Sequence, residues 1–336
     1  MTRYPEPSFA HVLRLSDDTG LLEHAHGATP SRENGYCVDD VARGLVVISR
    51  EPRPATNVVH LAERYLAFLA HAQTSDGFHN RLGFDRRWHD APDTGDWWGR
   101  AIWGLGTAAS SASVGWMRRE AFVRFERAAH QRSPWPRAMA FAGLGAAEVL
   151  SVDPDHDQAR QLLADALTTI GPPGDRPAWP WPEDRLTYAN ACLAEVFLAA
   201  AQHLDYPGAS ETGLRMLSWL LETQTRDGHL SPTPAGGWGP GEPRLRFDQQ
   251  PIEAAALADA CARALALTGD RSWIDQLGLA IRWFLGDNDG KLELVDHETG
   301  GCSDGLGPAG CSENQGAEST LALVSTLQHG RRHSPT

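Results

Sequence analysis

The feature that most constrains this chain is a strict alternation of two kinds of helical pattern, with strand signals nearly absent. One kind is small and apolar almost all round: Asp40–Ser49, Trp97–Ala109, Pro136–Leu150, Tyr188–His203, Ile252–Leu267 and Ala317–Gln328. A helix that is apolar on every side must be buried. The other kind is amphipathic and charged: Val58–Gln73, Met117–Gln131, Gln158–Ile170, Ser210–Gln224 and Trp273–Leu285, with Phe9–Leu13 a possible remnant of a sixth. In Val58–Gln73, for example, Leu61, Tyr65, Phe68 and Leu69 share one face while Glu63 and Arg64 take the other.

An internal repeat supports the same organisation. Gln73–Gly77, Gln224–Gly228 and Asp287–Gly290 each close an outer helix. The glycine of each is expected to sit at the C′ position that stops the helix. A short extended piece follows each time: Phe78–Asn80, His229–Ser231 and Lys291–Glu293. Six such helical hairpins close into an all-α (α/α)6 barrel, a toroid. The repeat leaves no linker, so residues 1–336 are expected to form a single domain.

In such a ring the loops entering the inner helices gather on one face, and here they are rich in acids and aromatics. The first entry holds Tyr36, Asp39, Asp40 and Arg43. The second holds Asp96, Trp97, Trp98 and Arg100, and the third is only Ser133–Arg137. The fourth holds Trp179, Trp181, Glu183, Tyr188 and Asn190. The fifth has Gln249, Gln250 and Glu253, and the sixth Asn314, Gln315 and Glu318. The exits of the same helices, such as Val47–Ser49 and Val324–Thr326, are poor in such groups. Capping and the helix dipole place some acids at any helix N-terminus. They do not require tryptophan or paired glutamines, nor do they put Glu253 and Glu318 a turn inside apolar helices, where a carboxylate is costly. The placement therefore points to a ligand-binding acidic cavity.

Glycosidic bond hydrolysis needs two carboxylates, one acid and one base or nucleophile. Asp96, Asp40 and Glu183 are the catalytic candidates. Walled in by Trp97 and Trp98, Asp96 is the natural proton donor, because burial shifts a carboxyl by more than the ~0.3–1 kcal/mol of a helix dipole. Should Arg100 pair with Asp96 at i, i+4, the donor is Glu183 instead. Of Asp39 and Asp40, one caps the helix or holds a sugar hydroxyl and the other is the base. Tyr36, Trp97, Trp181 and Tyr188 are expected to stack on sugar faces. Gln249, Gln250, Asn314 and Gln315 are expected to read hydroxyls.

The strings GYCVDDVARGL (35–45), DWWGRAIWGLG (96–106), WPWPEDRLTYAN (179–190), FDQQPIEAA (247–255) and ENQGAEST (313–320) carry a resemblance. The chain resembles the six-hairpin glycosidase superfamily. Within it, the chain is similar to bacterial glycosyltransferase- or glycosidase-like proteins encoded near glycosyltransferases and mannoside phosphorylases. The match runs from Asp17 to Leu327. It implies carbohydrate processing on an (α/α)6 barrel. It marks Asp39, Asp40, Asp96, Arg100, Glu183, Tyr188, Asn190, Gln249, Gln250, Glu253, Asn314, Gln315 and Glu318 as motif positions. No Gly-rich nucleotide loop follows a strand, so a glycosyltransferase is disfavoured.

Three rivals remain. An N-acylglucosamine 2-epimerase type of enzyme uses the same ring with histidines as bases, and His24, His26, His79 and His89 are available. A terpene cyclase toroid is faintly suggested by Gln73–Gly77 and Gln224–Gly228, but neither repeat ends in Trp. A non-catalytic glycan-binding toroid is the third.

Composition narrows the partners. Thirty basic against 43 acidic residues leave a net charge of −13, which argues against nucleic acid and anionic membranes. No run of 18 apolar residues offers a membrane span, and Met1–Leu15 has no apolar signal-peptide core. A cytoplasmic location is the default. Cys37, Cys192 and Cys261 read as reduced core residues, while Cys302 and Cys311 share a loop and could pair or bind metal. Without CxxC or histidine spacing, neither a metal nor a cofactor is expected. The tail Gly330–Thr336 is expected to fray.

Overall fold

The computed structural model describes residues 4–333. The chain forms two compact units: Val12–Ile170 with His203–Asp205, and Met1–His11 with Gly171–Gln202 and Tyr206–Thr336. We call them the N-terminal and C-terminal units.

In the N-terminal unit, after the short α1 (Ala10–Leu15), the buried helices are α2 (Val38–Ser49), α4 (Asp96–Ser111) and α6 (Pro136–Leu150). The amphipathic ones are α3 (Thr56–Ala72), α5 (Gly115–Ala128) and α7 (Asp157–Ile170). Helix α4 packs between α2 and α6. All of α6 except Pro136 and Glu148 is buried, as its unbroken apolar pattern requires. The α4–α6 contact is backbone against backbone. A Cβ built on Gly99 would lie 2.1 Å from the Ala138 carbonyl oxygen, and one on Gly106 would lie 2.2 Å from that of Gly145. Only glycine permits that approach.

In the C-terminal unit the buried helices are α8 (Ala191–His203), α10 (Pro251–Thr268) and α12 (Ala317–His333). The amphipathic partners are α9 (Ala209–Gln224) and α11 (Ser272–Phe284). Helix α10 packs on α9, α11 and α12. Its far half carries charge that the apolar pattern hid. Asp259 pairs with His329 of α12 (2.6 Å), and Arg263 with Glu195 of α8 (2.9 Å).

Each long helix falls within a few residues of its expected span, with three corrections. First, α8 starts at Ala191, not Tyr188. Ala189 takes φ +46°, and Asn190 Oδ1 accepts the Thr187 backbone N–H (2.9 Å), closing a turn instead. Second, Gly77 and Gly228 do not stop helices. Gln73–Thr74 pairs with Gly77–Phe78, and Thr225–Arg226 with His229–Leu230, as minimal antiparallel hairpins. In the second, Asp227 and Gly228 take φ +50° and +85°, the pair of positive values a type I′ turn needs. Third, α12 continues through Gly330 to His333; the rest of the expected frayed tail, 334–336, lies outside the described residues. No helix among them is long and apolar enough to cross a membrane.

Candidate functional site

The expected site residues divide between the two units. In the N-terminal unit, α2 supplies Asp39, Asp40 and Arg43, and α4 supplies Asp96, Trp97 and Arg100. Asp39 stands between two guanidiniums: its Oδ1 lies 2.6 Å from Arg100 Nε and its Oδ2 accepts from Arg43 at 3.2 Å. The 2.6 Å approach lacks hydrogen-bond alignment, so the contact is ionic. Arg43 also donates to Asp40 (2.5 Å). The Arg100 guanidinium lies 3.8 Å above the Phe141 ring of α6, a distance at which the cation meets the face of the π system. Ion pairing thus ties α2 to α4, and a cation–π contact ties α4 to α6.

This network answers the conditional expectation about Asp96. Arg100 pairs with Asp39, not with Asp96. Asp96 is the first residue of α4, with Gly95 in the N-cap position, and it is partly accessible. Asp40 was expected as a base or a cap. Instead its side chain is 5% exposed and held by Arg43 inside the unit, a poor position for meeting water.

The aromatic expectations need correcting as well. Tyr36 is buried, with Phe68 and Phe84 against its ring, and its hydroxyl donates to Asp17 (2.6 Å). Burial and the Asp17 contact push the phenol up to about 12. Trp97 is half-buried and donates to the Phe78 carbonyl (2.7 Å). Trp98 is fully buried and donates to Gln131 (2.8 Å). Tyr36 and Trp98 are therefore core residues, whereas Trp97 is only half-buried.

In the C-terminal unit, Trp181 is also core, tilted against Trp219. Trp179 donates to the Glu183 backbone carbonyl (2.7 Å). Glu183 is half-buried, and Tyr188 is exposed. Glu253, 2% exposed, accepts from Asn190 (2.8 Å), itself fully buried, and lies 3.5 Å from Gln224 Nε2. Gln249 is fully buried and reads no hydroxyl. Its amide donates to Asp289 and to the Arg246 carbonyl (2.6 Å each) and accepts from Trp283 (2.8 Å). Gln315 is buried likewise, bonded to Asp296 (2.7 Å) and Thr299 (2.8 Å). Asn314 is exposed; Gln250 and Glu318 are half-buried. The head of α12 is instead capped by Asp304, which accepts from Gly316 N–H (2.6 Å) and Ser319 (2.7 Å).

Sequence reasoning missed Asp289. Its side chain is fully buried, and it meets Gln249, His229 Nε2 (3.4 Å) and Arg246 Nε (3.8 Å). Burial opposes its charge, but the Ser231, Gln249 and His229 side chains around it prevail and hold the carboxyl below its usual range. The Asp287–Gly290 stretch had been legible only as a helix end. The histidines considered for an epimerase sit otherwise. His24 and His89 are mostly exposed, beside Glu23 and Asp85, and His26 lies exposed in a hairpin. His79 is stacked on Trp88 and bonded to the Asp90 carbonyl (2.8 Å).

All five cysteines are free thiols, including Cys302 and Cys311. Among the described residues Glu23, Cys37 and Asp40 bring possible metal-ligand atoms together. Yet Asp40 faces Arg43 and Glu23 faces Arg81. Burial, then the nearby acids, push the Cys37 thiol far up. A protonated thiol between ion-paired carboxylates does not suit a cation.

No protein-family model and no curated protein matches the sequence. Solved structures do match. A sugar epimerase from a ruminal bacterium aligns with TM-score 0.74 at 12% identity, over 98% of this chain and 96% of that one. A D-mannose isomerase aligns with TM-score 0.69 at 13% identity, over 95% and 94%. A cellulase of C. cellulolyticum in complex with cellobiose aligns with TM-score 0.64 at 9% identity, over 94% and 88%. The chain shares the fold of these proteins, an (α/α)6 toroid.

Proposed function

We propose that this protein is a carbohydrate-processing enzyme, working as a glycoside hydrolase through carboxylate acid–base chemistry, with Asp96 as a reacting carboxylate. The fold is shared with enzymes that epimerise, isomerise or hydrolyse sugars, which supports the substrate class by analogy. One observation carries the choice of Asp96: it is partly accessible at the first position of α4, whereas the Asp40 side chain is only 5% exposed. It opens α4 next to Trp97, which is half-buried. A carboxylate with solvent access and an adjacent indole suits proton transfer against a sugar face. Glu183 is the second candidate carboxylate, half-buried next to Trp179.

A second reading, sugar epimerase or isomerase, is favoured by the His229–Asp289 pair at 3.4 Å. A histidine backed by a buried carboxylate is a fit base for abstracting a proton beside a carbonyl.

One experiment separates these readings. The purified protein is incubated with a panel of oligosaccharides and free sugars in D2O, and products are read by NMR. Hydrolysis appears as new reducing ends, lost in Asp96→Asn with an unchanged circular dichroism spectrum. Deuterium at C2, lost in His229→Gln, selects the epimerase. Ligand affinity with no turnover at any pH selects a binding protein. Full activity in Asp96→Asn removes the proposed role.

A further inference from the structure

The C-terminal unit holds a concentration of positive charge that the proposed chemistry does not use. The hairpin after α9 carries Arg226 and His229 as cross-strand partners. The loop that leads from it to α10 carries Arg244 and Arg246. Asp289 is the acid within ion-pairing distance of this group. It is shared between His229 and Arg246, and its other oxygen accepts from Gln249.

Arg244 is the informative member. It is half-buried, and its one side-chain hydrogen bond among the described residues goes to a neutral acceptor, the Ser231 carbonyl (2.6 Å). The charges facing it are Arg226, which repels it, and Asp289, which attracts it. Burial first, and Arg226 second, pull its guanidinium down to about 10. A cation kept from water beside a like charge is costly unless an anion joins it. Arg244 and Arg246 both meet the Asp289 carboxylate, and Arg226 adds a third guanidinium beside Arg244, in a chain whose net charge is −13. Guanidinium forks match oxyanions in shape as well as charge.

We propose that Arg226, Arg244 and Arg246 form an oxyanion subsite that takes a phosphate ester or a carboxylate carried by the sugar. The buried Asp289 orients the site by fixing Arg246 and His229, and it leaves the outer donors of Arg244 for the ligand. The sugar part of this assignment rests on the function proposed above; the anion part does not.

The test is calorimetric titration of the whole protein with inorganic phosphate, followed by hexose phosphates, hexuronates and neutral sugars. Inorganic phosphate is expected to bind and to weaken as salt is raised. Arg244→Gln and Arg246→Gln are each expected to weaken it by about 10-fold, the loss of one charged hydrogen bond. Arg185→Gln, which removes an exposed ion pair with Glu242 in the same unit, is expected to leave it unchanged. Thermal melts of all three variants check folding; Arg246 is more than half exposed, so its variant retains the fold even should Arg244→Gln lose it. A preference for hexose phosphates or for hexuronates identifies which group the subsite takes. Phosphate binding without binding of any sugar leaves the subsite standing and removes the carbohydrate reading. Neutral sugars binding as tightly as charged ones, or phosphate binding equally to wild type and both variants, overturns the subsite.

Discussion

Replacing Gly99 by alanine sets two effects of opposite sign against each other. In a helix interior alanine is favoured over glycine by roughly 1 kcal/mol, so propensity alone predicts a stabler protein. The structure predicts the reverse. The new Cβ would lie 2.1 Å from the Ala138 oxygen, 2.9 Å from its carbonyl carbon and 3.0 Å from its Cα. These are backbone atoms of α6 and cannot rotate away. Restoring ordinary contact requires α4 and α6 to part by about 1 Å where they pack, in an interior with few voids. Overpacking of this kind costs about 1–3 kcal/mol, and backbone resistance places this case at the upper end. Set against the propensity gain, the net loss is about 2 kcal/mol. Urea unfolding followed by circular dichroism measures it as a lower midpoint. Gly115→Ala is the control: that Cβ meets only the guanidinium ends of Arg118 and Arg119 at 3.6 Å, and its midpoint is expected to hold or rise. The displacement also bears on function, since Asp96 and Arg100 share a turn with Gly99. A shift of about 1 Å at a reacting group can cost about 100-fold in rate, so turnover is expected to fall further than the lost stability explains. A Gly99→Ala protein as stable as wild type would refute the close-packing argument.

Asp39→Asn removes the carboxylate from Arg100, whose side chain is 4% exposed. A buried charge stripped of its partner costs about 3–5 kcal/mol; Arg100→Met in the same chain should recover much of that loss, as read from urea midpoints. Asp296 provides a pH test. The hydrogen bond from Gln315 chiefly, with help from Thr299 and against some burial, lowers its carboxyl from 3.8 to about 2. The folded value is the lower one, so this stability is present above about pH 4 and is lost as pH falls from there toward 2. Allowing for solvent screening of a partly accessible group, it amounts to about 1 kcal/mol. The acid-unfolding curve of Asp296→Asn should lack that contribution and be flatter over this interval; an unchanged curve would remove the claim.

What the sequence determined by itself is the helical ring. An all-round apolar pattern such as Ala138–Ala147 has only one physical outcome, burial, and it alternates with amphipathic partners whose period is local. Side chains in the entry loops carry no such signal. Tyr36 and Trp181, expected on sugar faces, are core. Gln249 and Gln315, expected to read hydroxyls, are spent on Asp289 and Asp296. Polar or aromatic residues in a loop look alike in sequence whether a distant segment covers them or water does. The deciding contacts join residues far apart in the chain: Asp39 with Arg100, Asn190 with Glu253, Gln249 with Asp289. Only the tertiary structure could settle which charge Arg100 neutralises and bond Arg244 to the Ser231 carbonyl. Periodicity reports how a segment meets its immediate neighbours, whereas a charge is balanced by whatever the folded chain brings within a few ångströms of it.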